Sequence, residues 1–366
     1  MYTKRLFPVK DVLFLHRKYL LLFLFLSAIP VVFYDILDLK WLQLPWLPIG
    51  VMGTAVAFVI GFKNNASYDR LWEARKIWGG IVNTSRSWTI MVKDFITKDN
   101  GNNTATEDEL KYLRKELVNR HIAWITALRY QLRKEKPWEI NSKKRSFLNE
   151  LKPIDFKILE LEVPLKDEIK PYLTEADFIN IFNKGNQASQ LLGIQSKRLE
   201  ELKHERLLDN FRHMEMAKIL VELFTLQGKC ERIKNFPYPR QYATLNYIFV
   251  WIFILLIPFG IMAEFESYGE KTLELLDINV MSSMRYTIQS TIATHFVWFS
   301  VPFSALVAWV FHSMEAIGES TENPFEGGLN DVPITDMSRG IEIDIRQLID
   351  DNDIPEPYKW ENDVVM

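Results

Sequence analysis

Residues 47–62 read LPIGVMGTAVAFVIGF and carry no charge, which sets them apart from the sequence around them. Three further uncharged apolar blocks cover residues 19–34, 242–263 and 292–310. A bilayer core about 30 Å thick is crossed by roughly 17–25 helical residues. The last two blocks are long enough alone, and the first two need their flanks. We therefore predict four membrane-spanning helices, at about 19–37, 46–66, 242–263 and 289–311.

The composition of the 366 residues excludes several classes of protein. Basic and acidic side chains number 44 and 47, so the chain offers no net cationic field for nucleic acid. Its one cysteine, Cys230, cannot form an intrachain disulfide or a zinc site of paired cysteines. The sequence has no HExxH, GxGxxG, GxxxxGKS or GxSxG motif. We expect no nucleic-acid partner, no cofactor and no enzymatic activity.

Basic flanks indicate how the chain crosses the membrane. The first block could instead be a signal peptide, but Asp35 and Asp38 follow it without a small-x-small cleavage site. The positive-inside rule then predicts that both termini and the segment 63–240 are cytoplasmic. The basic residues are Lys4, Arg5, Lys10, Arg17 and Lys18 before the first span, Lys63, Arg70, Arg75, Lys76 and Arg86 after the second, and Arg232, Lys234 and Arg240 before the third.

The segment between the second and third spans is predicted to be helical. Apolar residues recur with helical spacing over 110–133 and 188–229, and no alternating strand pattern persists. We also predict a turn over 99–103, a loop-rich stretch over 136–171 and an extended or disordered tail after Ile349. The fold class is all-α. It has four parts: spans one and two with a juxtamembrane helix (1–88), a cytoplasmic helical domain (89–240), spans three and four (241–312) and a cytoplasmic C-terminal segment (313–366).

The second span carries a stripe with a possible function. Thr54, Phe58 and Phe62 are spaced i, i+4, i+8 and fall on one helical face. One interpretation is helix packing, in which aromatic side chains fill gaps between helices. The other is a hydrophobic constriction that gates by dewetting and is lined by copies of the stripe from several subunits. A four-span chain without a polar membrane face has no water path of its own, so conduction would require an oligomer axis.

The polar residues near the spans offer little chemistry. The four apolar blocks contain no carboxylate, which argues against a proton-coupled transporter. The nearest approach to a metal set is His312 and Glu315 with Glu319, and we interpret these residues as ordinary surface polarity below a span. We therefore predict no metal site.

The stretch that follows the second span is an amphipathic juxtamembrane helix. It reads NNASYDRLWEARKIWGGIVNTSRSW over residues 64–88, with charges of alternating sign and tryptophans suited to a membrane interface. Its acidic and basic residues can neutralise one another within or between chains. The residues of interest are Asn65, Asp69, Arg70, Trp72, Glu73 and Arg75.

Four motifs resemble those of the bestrophin family in its bacterial and plant branch. The longest is FVIGFKNNASYDRLWEARKIWGGIVNTSRSW over residues 58–88. The others, in matching order, are ITALRYQLR at 125–133, KCERIKNFPYPRQYA at 229–243 and ESTENPFEGGLNDVPI at 319–334. The resemblance covers about residues 1–345 and implies a homopentamer of four-span subunits around an axial pore in a bacterial inner membrane.

The resemblance also implies roles for particular residues. Thr54, Phe58 and Phe62 would form the pore neck, although the family usually has a bulkier apolar residue at the position of Thr54. Phe211 would form a cytoplasmic aperture, by an ungapped count back from KCERI. In eukaryotic relatives, an Asn-Pro-Phe segment precedes a run of acidic residues that binds calcium. The matching segment of this chain is Asn323-Pro324-Phe325, and few acidic residues follow it, so we expect no calcium activation.

The sign of the conducted ion is predicted from two opposing features. Phenylalanine rings present positive edges, which favours anions at a Phe58 and Phe62 neck. Acidic residues in the outer loops would instead concentrate cations at the mouth. We favour chloride or other small anions because groups at a constriction outweigh screened charges beyond a Debye length of about 8 Å. The alternatives are a monovalent-cation channel and a membrane-tethered scaffold. Expected partners are further copies of the chain, membrane lipids and permeant ions. The outer acids are Asp35, Asp38, Glu264, Glu266 and Glu270.

Overall fold

The computed structural model describes residues 1–98, 105–139, 156–276, 283–360 and 362–366. Within these ranges the regular structure is helical apart from one isolated bridge between Tyr2 and Val364, so the predicted all-α class is confirmed. The predicted turn at 99–103, part of the loop-rich stretch and the end of one outer loop lie outside the described residues. The helices are α1 (Val9–Val31), α2 (Trp46–Phe95), α3 (Glu107–Arg133), α4 (Leu159–Glu162), α5 (Leu165–Ile169), α6 (Glu175–Phe182), α7 (Gln187–His204), α8 (Asn210–Asn235), α9 (Arg240–Glu274), α10 (Ser283–Thr294), α11 (Ser300–Thr321) and α12 (Ile334–Leu348).

Four helical segments in the described chain are long and apolar enough to cross a bilayer. They are His16–Ile36, Lys40–Phe95, Arg240–Glu274 and Phe296–Thr321. Each of the four predicted spans overlaps one of these segments. The predicted fourth span at 289–311 begins within α10, whereas α11 starts only after a short 3₁₀ turn at Phe296–Phe299.

α2 is a single helix of 50 residues that joins the membrane bundle to a second helical body, which we call the cytoplasmic domain after its predicted location. It contains no proline beyond its first turn, and at about 1.5 Å per residue it is roughly 75 Å long. Its membrane half packs on α9 and α11 through an apolar cluster that includes Ile49, Val56 and Ile60. Its cytoplasmic half packs on α8 and α12 and buries Trp78 and Trp88 completely.

α3 lies at the centre of the core of the cytoplasmic domain, and the residues at its N-terminus favour the start of a helix. Thr106 and Glu109 form a reciprocal capping box at its N-terminus. Farther along α3, Trp124 is buried and its indole Nε1 donates to Gln227 of α8 at 2.9 Å. The predicted helix over 110–133 therefore corresponds to α3.

The predicted helical stretch over 188–229 is divided between two helices. α7 ends at His204, Arg206 adopts a positive φ of 62°, and α8 begins after Asp209. The Asp209 carboxylate accepts the backbone N–H groups of Phe211 and Arg212, which supplies the cap of the new helix. Apolar periodicity continues across this break, so hydropathy alone does not locate it.

The C-terminal tail is extended and packs on the rest of the chain. The Trp360 indole donates to Asp336 at 2.7 Å, and Arg339 donates to the Tyr358 hydroxyl at 2.8 Å. Val364 and Met366 are buried. The extended alternative is therefore found, and disorder is not, for the described tail residues.

Candidate functional site

The membrane half of α2 presents Thr54, Phe58 and Phe62 together on an exposed face. Phe58 is 64% exposed and Phe62 is 70% exposed, although both are large aromatic side chains. The Thr54 hydroxyl donates to the carbonyl of Gly50 at 3.0 Å, so its polar group is satisfied within the helix. Eight residues separate the ends of this stripe, which is about 12 Å along the helix. The chain therefore carries a continuous apolar strip that its described residues leave uncovered.

Close packing on the opposite face holds this stripe in place. A side chain at Gly53 would lie 2.6 Å from the ring of Phe253 in α9, and one at Gly260 would lie 2.7 Å from Ile49. Glycine at both positions lets α2 and α9 approach closely. The direction in which Phe58 and Phe62 point is thus set by the packing of α2 on α9.

A buried ionic cluster lies at the cytoplasmic end of the membrane bundle. Lys63 of α2 donates to Glu315 of α11 at 2.6 Å, and both side chains are about 95% buried. Asn246 of α9 donates to the other oxygen of the same carboxylate. Lys63 also lies 3.9 Å from Glu322, which pairs with Arg240. The cluster joins three membrane helices through hydrogen-bonded charges.

This cluster corrects one prediction and adds residues that the sequence did not reveal. Glu315 and His312 are buried, so the interpretation of ordinary surface polarity is wrong for them. Buried charges must be paired, and Lys63 supplies the pair. Among the described residues, no group of three or more His, Cys, Asp or Glu side chains is placed to hold a metal. Lys63 and Asn246 were not predicted as partners because they come from distant segments.

The juxtamembrane residues divide into a packed set and an exposed set. Arg70 donates to the backbone carbonyls of Ile233, Phe236 and Glu322, at 3.2, 2.9 and 3.0 Å, and so ties α2 to the end of α8. Glu73 pairs with Lys76 at 3.0 Å on the surface. The exposed set continues the stripe toward the cytoplasm and consists of Asn65, Asp69, Trp72 and Arg75.

Phe211 lies at the start of α8, on the face turned away from the cytoplasmic core. It is 83% exposed, and its backbone N–H donates to Asp209 at 2.8 Å. Met214, one turn later, is also exposed. The cap fixes the first turn of α8, so this apolar pair has a defined position.

Some of the outer acidic residues already have partners. Lys40 pairs with Glu266 at 2.6 Å, and the Trp298 indole donates to Asp35 at 2.7 Å. Asp38, Glu264 and Glu270 are exposed. The Lys40 ammonium neutralises Glu266, whereas the uncharged indole of Trp298 leaves the negative charge of Asp35 in place.

Asp331, after the Asn-Pro-Phe segment, also has its oxygens occupied. It accepts backbone N–H groups from Phe325 at 2.8 Å and Gly327 at 2.6 Å. The Arg133 guanidinium donates to it at 2.8 Å, with both side chains buried. A guanidinium and backbone amides therefore satisfy this carboxylate.

Glu160 and His121 show how the cytoplasmic domain treats its other buried ionisable groups. Glu160 lies between Arg129, at 3.0 Å, and Arg133, at 3.8 Å, and so attaches the described part of the loop-rich stretch to α3. His121 packs against the rings of Trp88 and Trp124. Complete burial lowers the pKa of His121 to about 3, which keeps the imidazole neutral.

Comparison with known proteins places the whole arrangement in context. The family described as "Bacterial/Fungal Bestrophin protein" matches residues 12–270 and 290–347. The voltage-dependent anion channel-forming protein YneE of Escherichia coli K12 is 25% identical over 340 residues, which cover 92% of this chain and 87% of that protein. A protein of the same description from Ralstonia nicotianae is 28% identical over 313 residues, covering 83% and 80%.

Solved structures give the same architecture. The crystal structure of a bacterial bestrophin homologue from Klebsiella pneumoniae superposes with a TM-score of 0.67. It covers 91% of this chain and 98% of that one at 20% sequence identity. This likeness establishes the fold.

Proposed function

The chain belongs to the bacterial and fungal bestrophin family, and from that premise we propose that it is a passive channel for chloride and other small anions. In this proposal five copies surround an axial pore. The exposed α2 stripe is the observation that carries it, because this face runs on from the apolar neck residues into the exposed Asn65, Asp69, Trp72 and Arg75, as a face that lines a path from the membrane to water would.

The proposed neck consists of Thr54, Phe58 and Phe62 from each copy. Phe58 and Phe62 lie in the membrane half of α2 and are exposed, as residues that line a pore must be. A ring of phenylalanines excludes water unless an ion is present, which provides a hydrophobic gate. The Thr54 hydroxyl donates to the carbonyl of Gly50 in its own helix, so the side chain presents its methyl group to the proposed pore. Because threonine is smaller than phenylalanine, the neck is wider at this end.

Anion preference is supported at both the neck and the mouth. The positive edges of Phe58 and Phe62 would face partly dehydrated ions. At the outer side, Lys40 neutralises Glu266, which weakens the argument for cations. The exposed Asp38, Glu264 and Glu270 still favour a monovalent-cation channel of the same architecture, and this is the second candidate.

Passive conduction is favoured over coupled transport and over a scaffold role. The carboxylates at the membrane boundary, Glu315 and Glu322, are already paired with Lys63 and Arg240. A proton carrier needs a carboxylate that is free to titrate. A scaffold would not require an apolar membrane stripe that runs on into exposed polar residues. We propose the bacterial inner membrane as the location, with both termini in the cytoplasm.

Phe211 is proposed as the cytoplasmic aperture, and calcium is not proposed as an activator. Phe211 is exposed at a capped helix start, which suits a constriction shared by several copies. Asp331 uses its oxygens on Arg133 and on backbone amides, so few are left for the six to eight ligands that calcium prefers.

A reversal-potential measurement tests the proposal. Purified protein in a planar bilayer under a KCl gradient is expected to reverse close to the chloride equilibrium potential. A reversal close to the potassium potential would support the cation channel instead. Absence of current from correctly assembled protein would contradict channel function and favour the scaffold.

A further inference from the structure

The exposed face of α1 forms a continuous stripe from the cytoplasm into the membrane. Its members recur every three or four residues, while the opposite face packs on α9 and α11. Leu21 is 66% exposed and Phe25 is 64% exposed. We call this face the α1 stripe, and it consists of Lys10, Leu13, Phe14, Arg17, Leu21, Leu24 and Phe25.

The α1 stripe is divided sharply by charge. Its cytoplasmic end carries the cations Lys10 and Arg17, whereas the part beyond Arg17 is apolar. Lys10 and, just upstream, Arg5 are exposed, and Arg17 is partly exposed; these three residues form no ion pair with the described part of the chain. The Arg17 guanidinium carbon lies 3.9 Å from the centre of the Phe14 ring, so the charge rests on an aromatic face.

Helix length places these cations at the depth of lipid headgroups. The apolar segment His16–Ile36 has 21 residues, or about 31 Å of helix, close to the thickness of a bilayer core. Arg17 therefore lies at the edge of the hydrocarbon. Lys10 lies about 10 Å farther toward the cytoplasm, beside the outer part of the headgroups.

We propose that the α1 stripe binds an anionic phospholipid. The lipid phosphate contacts Arg17, its negatively charged headgroup reaches Lys10, and an acyl chain lies along Leu21 and Phe25. Planar guanidinium groups match phosphate oxygens in geometry, and anionic membrane surfaces attract juxtamembrane cations.

A second copy of the chain fits this surface less well than a lipid does. Cations at the membrane boundary would need exposed acids from a neighbour at the same level. At the cytoplasmic end of α11, Glu315 and Glu322 are buried and already paired with Lys63 and Arg240, and the exposed Glu319 already interacts within its own chain. The exposed Asp69 lies on the α2 face that continues the proposed neck, so in the proposed pentamer it is turned toward the pore. The apolar continuation of the stripe at membrane depth suits acyl chains directly.

Native mass spectrometry of the full chain in neutral detergent tests this inference. Phosphatidylglycerol and phosphatidylcholine with identical acyl chains are titrated separately, and dissociation constants are compared. The natural chain is expected to prefer phosphatidylglycerol about tenfold. Lys10→Gln with Arg17→Gln is expected to reduce that ratio to about one. Lys197→Gln with Lys359→Gln removes two exposed cytoplasmic charges and is expected to keep the tenfold ratio.

Further measurements guard against a variant that fails to fold. Arg17→Lys keeps the charge and is expected to retain most of the preference. On the natural chain, the preference should shrink as salt rises, and inorganic phosphate should not displace the lipid. Equal affinity for the two lipids, or an unchanged ratio in the Lys10 and Arg17 variant, would overturn the inference.

A cysteine cross-link tests the competing occupant. Cys230 is buried, and burial raises the pKa of its thiol, so a Leu21→Cys chain has one reactive cysteine in its folded state. Disulfide formation between copies in native membranes would assign the α1 stripe to a subunit contact and reject the lipid site. Because neighbours in a five-copy ring meet through different surfaces, the same cysteine is also labelled with a benzophenone maleimide, which reacts under light with C–H bonds of whatever lies beside it. A lipid adduct without a protein adduct supports the lipid, and a protein adduct between copies rejects it.

Discussion

The two halves of α2 use one helix for opposite purposes. The cytoplasmic half buries Trp78 and Trp88 in a core shared with α3 and α8. The membrane half is buried on one side only and leaves Phe58 and Phe62 uncovered. The first arrangement stabilises the folded chain, and the second leaves apolar side chains free to line the neck of the proposed pentamer. Substitutions along α2 should therefore divide into those that change stability and those that change conduction.

The largest effect is expected in the cytoplasmic half. Trp88→Ala removes a fully buried indole that packs against His121. The expected loss is about 3–5 kcal/mol of unfolding free energy, measured by denaturant unfolding in detergent. Trp88→Phe is the matched control, because the Trp88 Nε1 group has no hydrogen-bond partner to lose among the described residues. If Trp88→Ala altered conductance but not stability, the division between the halves would be wrong.

Substitution of Lys63, at the border between the two halves of α2, should lower the free energy of unfolding almost as much. Lys63→Met leaves Glu315 buried without its cation, and a loss of about 3 kcal/mol is expected. Lys76→Met breaks an exposed pair with Glu73 and should cost less than about 1 kcal/mol. The difference in thermal unfolding midpoint between the two variants measures how much more the buried ion pair contributes to stability than the exposed one. Equal midpoints would mean that Lys63 is hydrated in the assembled protein.

The pH dependence of stability tests the packing of the cytoplasmic core around His121 of α3. The pKa of His121 falls to about 3 in the folded chain, below its ordinary value near 6.5. Below pH 6.5 the unfolded chain binds a proton that the folded chain does not, so stability falls as pH falls. The loss at pH 5 is about 2 kcal/mol. His121→Gln should flatten this slope, whereas His204→Gln, at an exposed site, should not.

The membrane half should show changes in current with little change in stability. Phe58→Ala combined with Phe62→Ala widens the proposed neck, and chloride conductance in liposomes is expected to rise roughly fivefold. Phe303→Ala, an exposed phenylalanine on α11 outside both the neck and the α1 stripe, is the control and should leave conductance unchanged. Unchanged flux in the double variant would show that the neck lies elsewhere.

The smallest effect is expected at the proposed aperture. Phe211→Ala removes one exposed side chain per copy at the first turn of α8, and about a twofold rise in conductance is expected. The Asp209 cap stays in place, so the helix should keep its start. A larger effect here than at Phe58 would reverse the order of the two constrictions. Single-channel recordings of both variants decide between them.

Local sequence patterns predicted the membrane spans and the face of α2 that carries the proposed neck, because both features depend on residues that are close in sequence. Uncharged blocks locate the four spans, and the i, i+4, i+8 spacing brings Thr54, Phe58 and Phe62 onto one face. Lys63, Asn246 and Glu315 meet from three distant segments, and no local pattern announces such a contact. The break before α8 depends on the backbone of Arg206 and a single cap at Asp209, which hydropathy does not detect.

The length of α2 also has a mechanical consequence. If the helix tilts as a rigid rod about Lys63, its arm to Phe95 is about 48 Å and its arm to Thr54 about 14 Å. A tilt of about 5° then moves the cytoplasmic end by about 4 Å and the neck by about 1 Å. Such a tilt would turn a coarse movement of the cytoplasmic domain into a fine adjustment of the radius of the proposed neck.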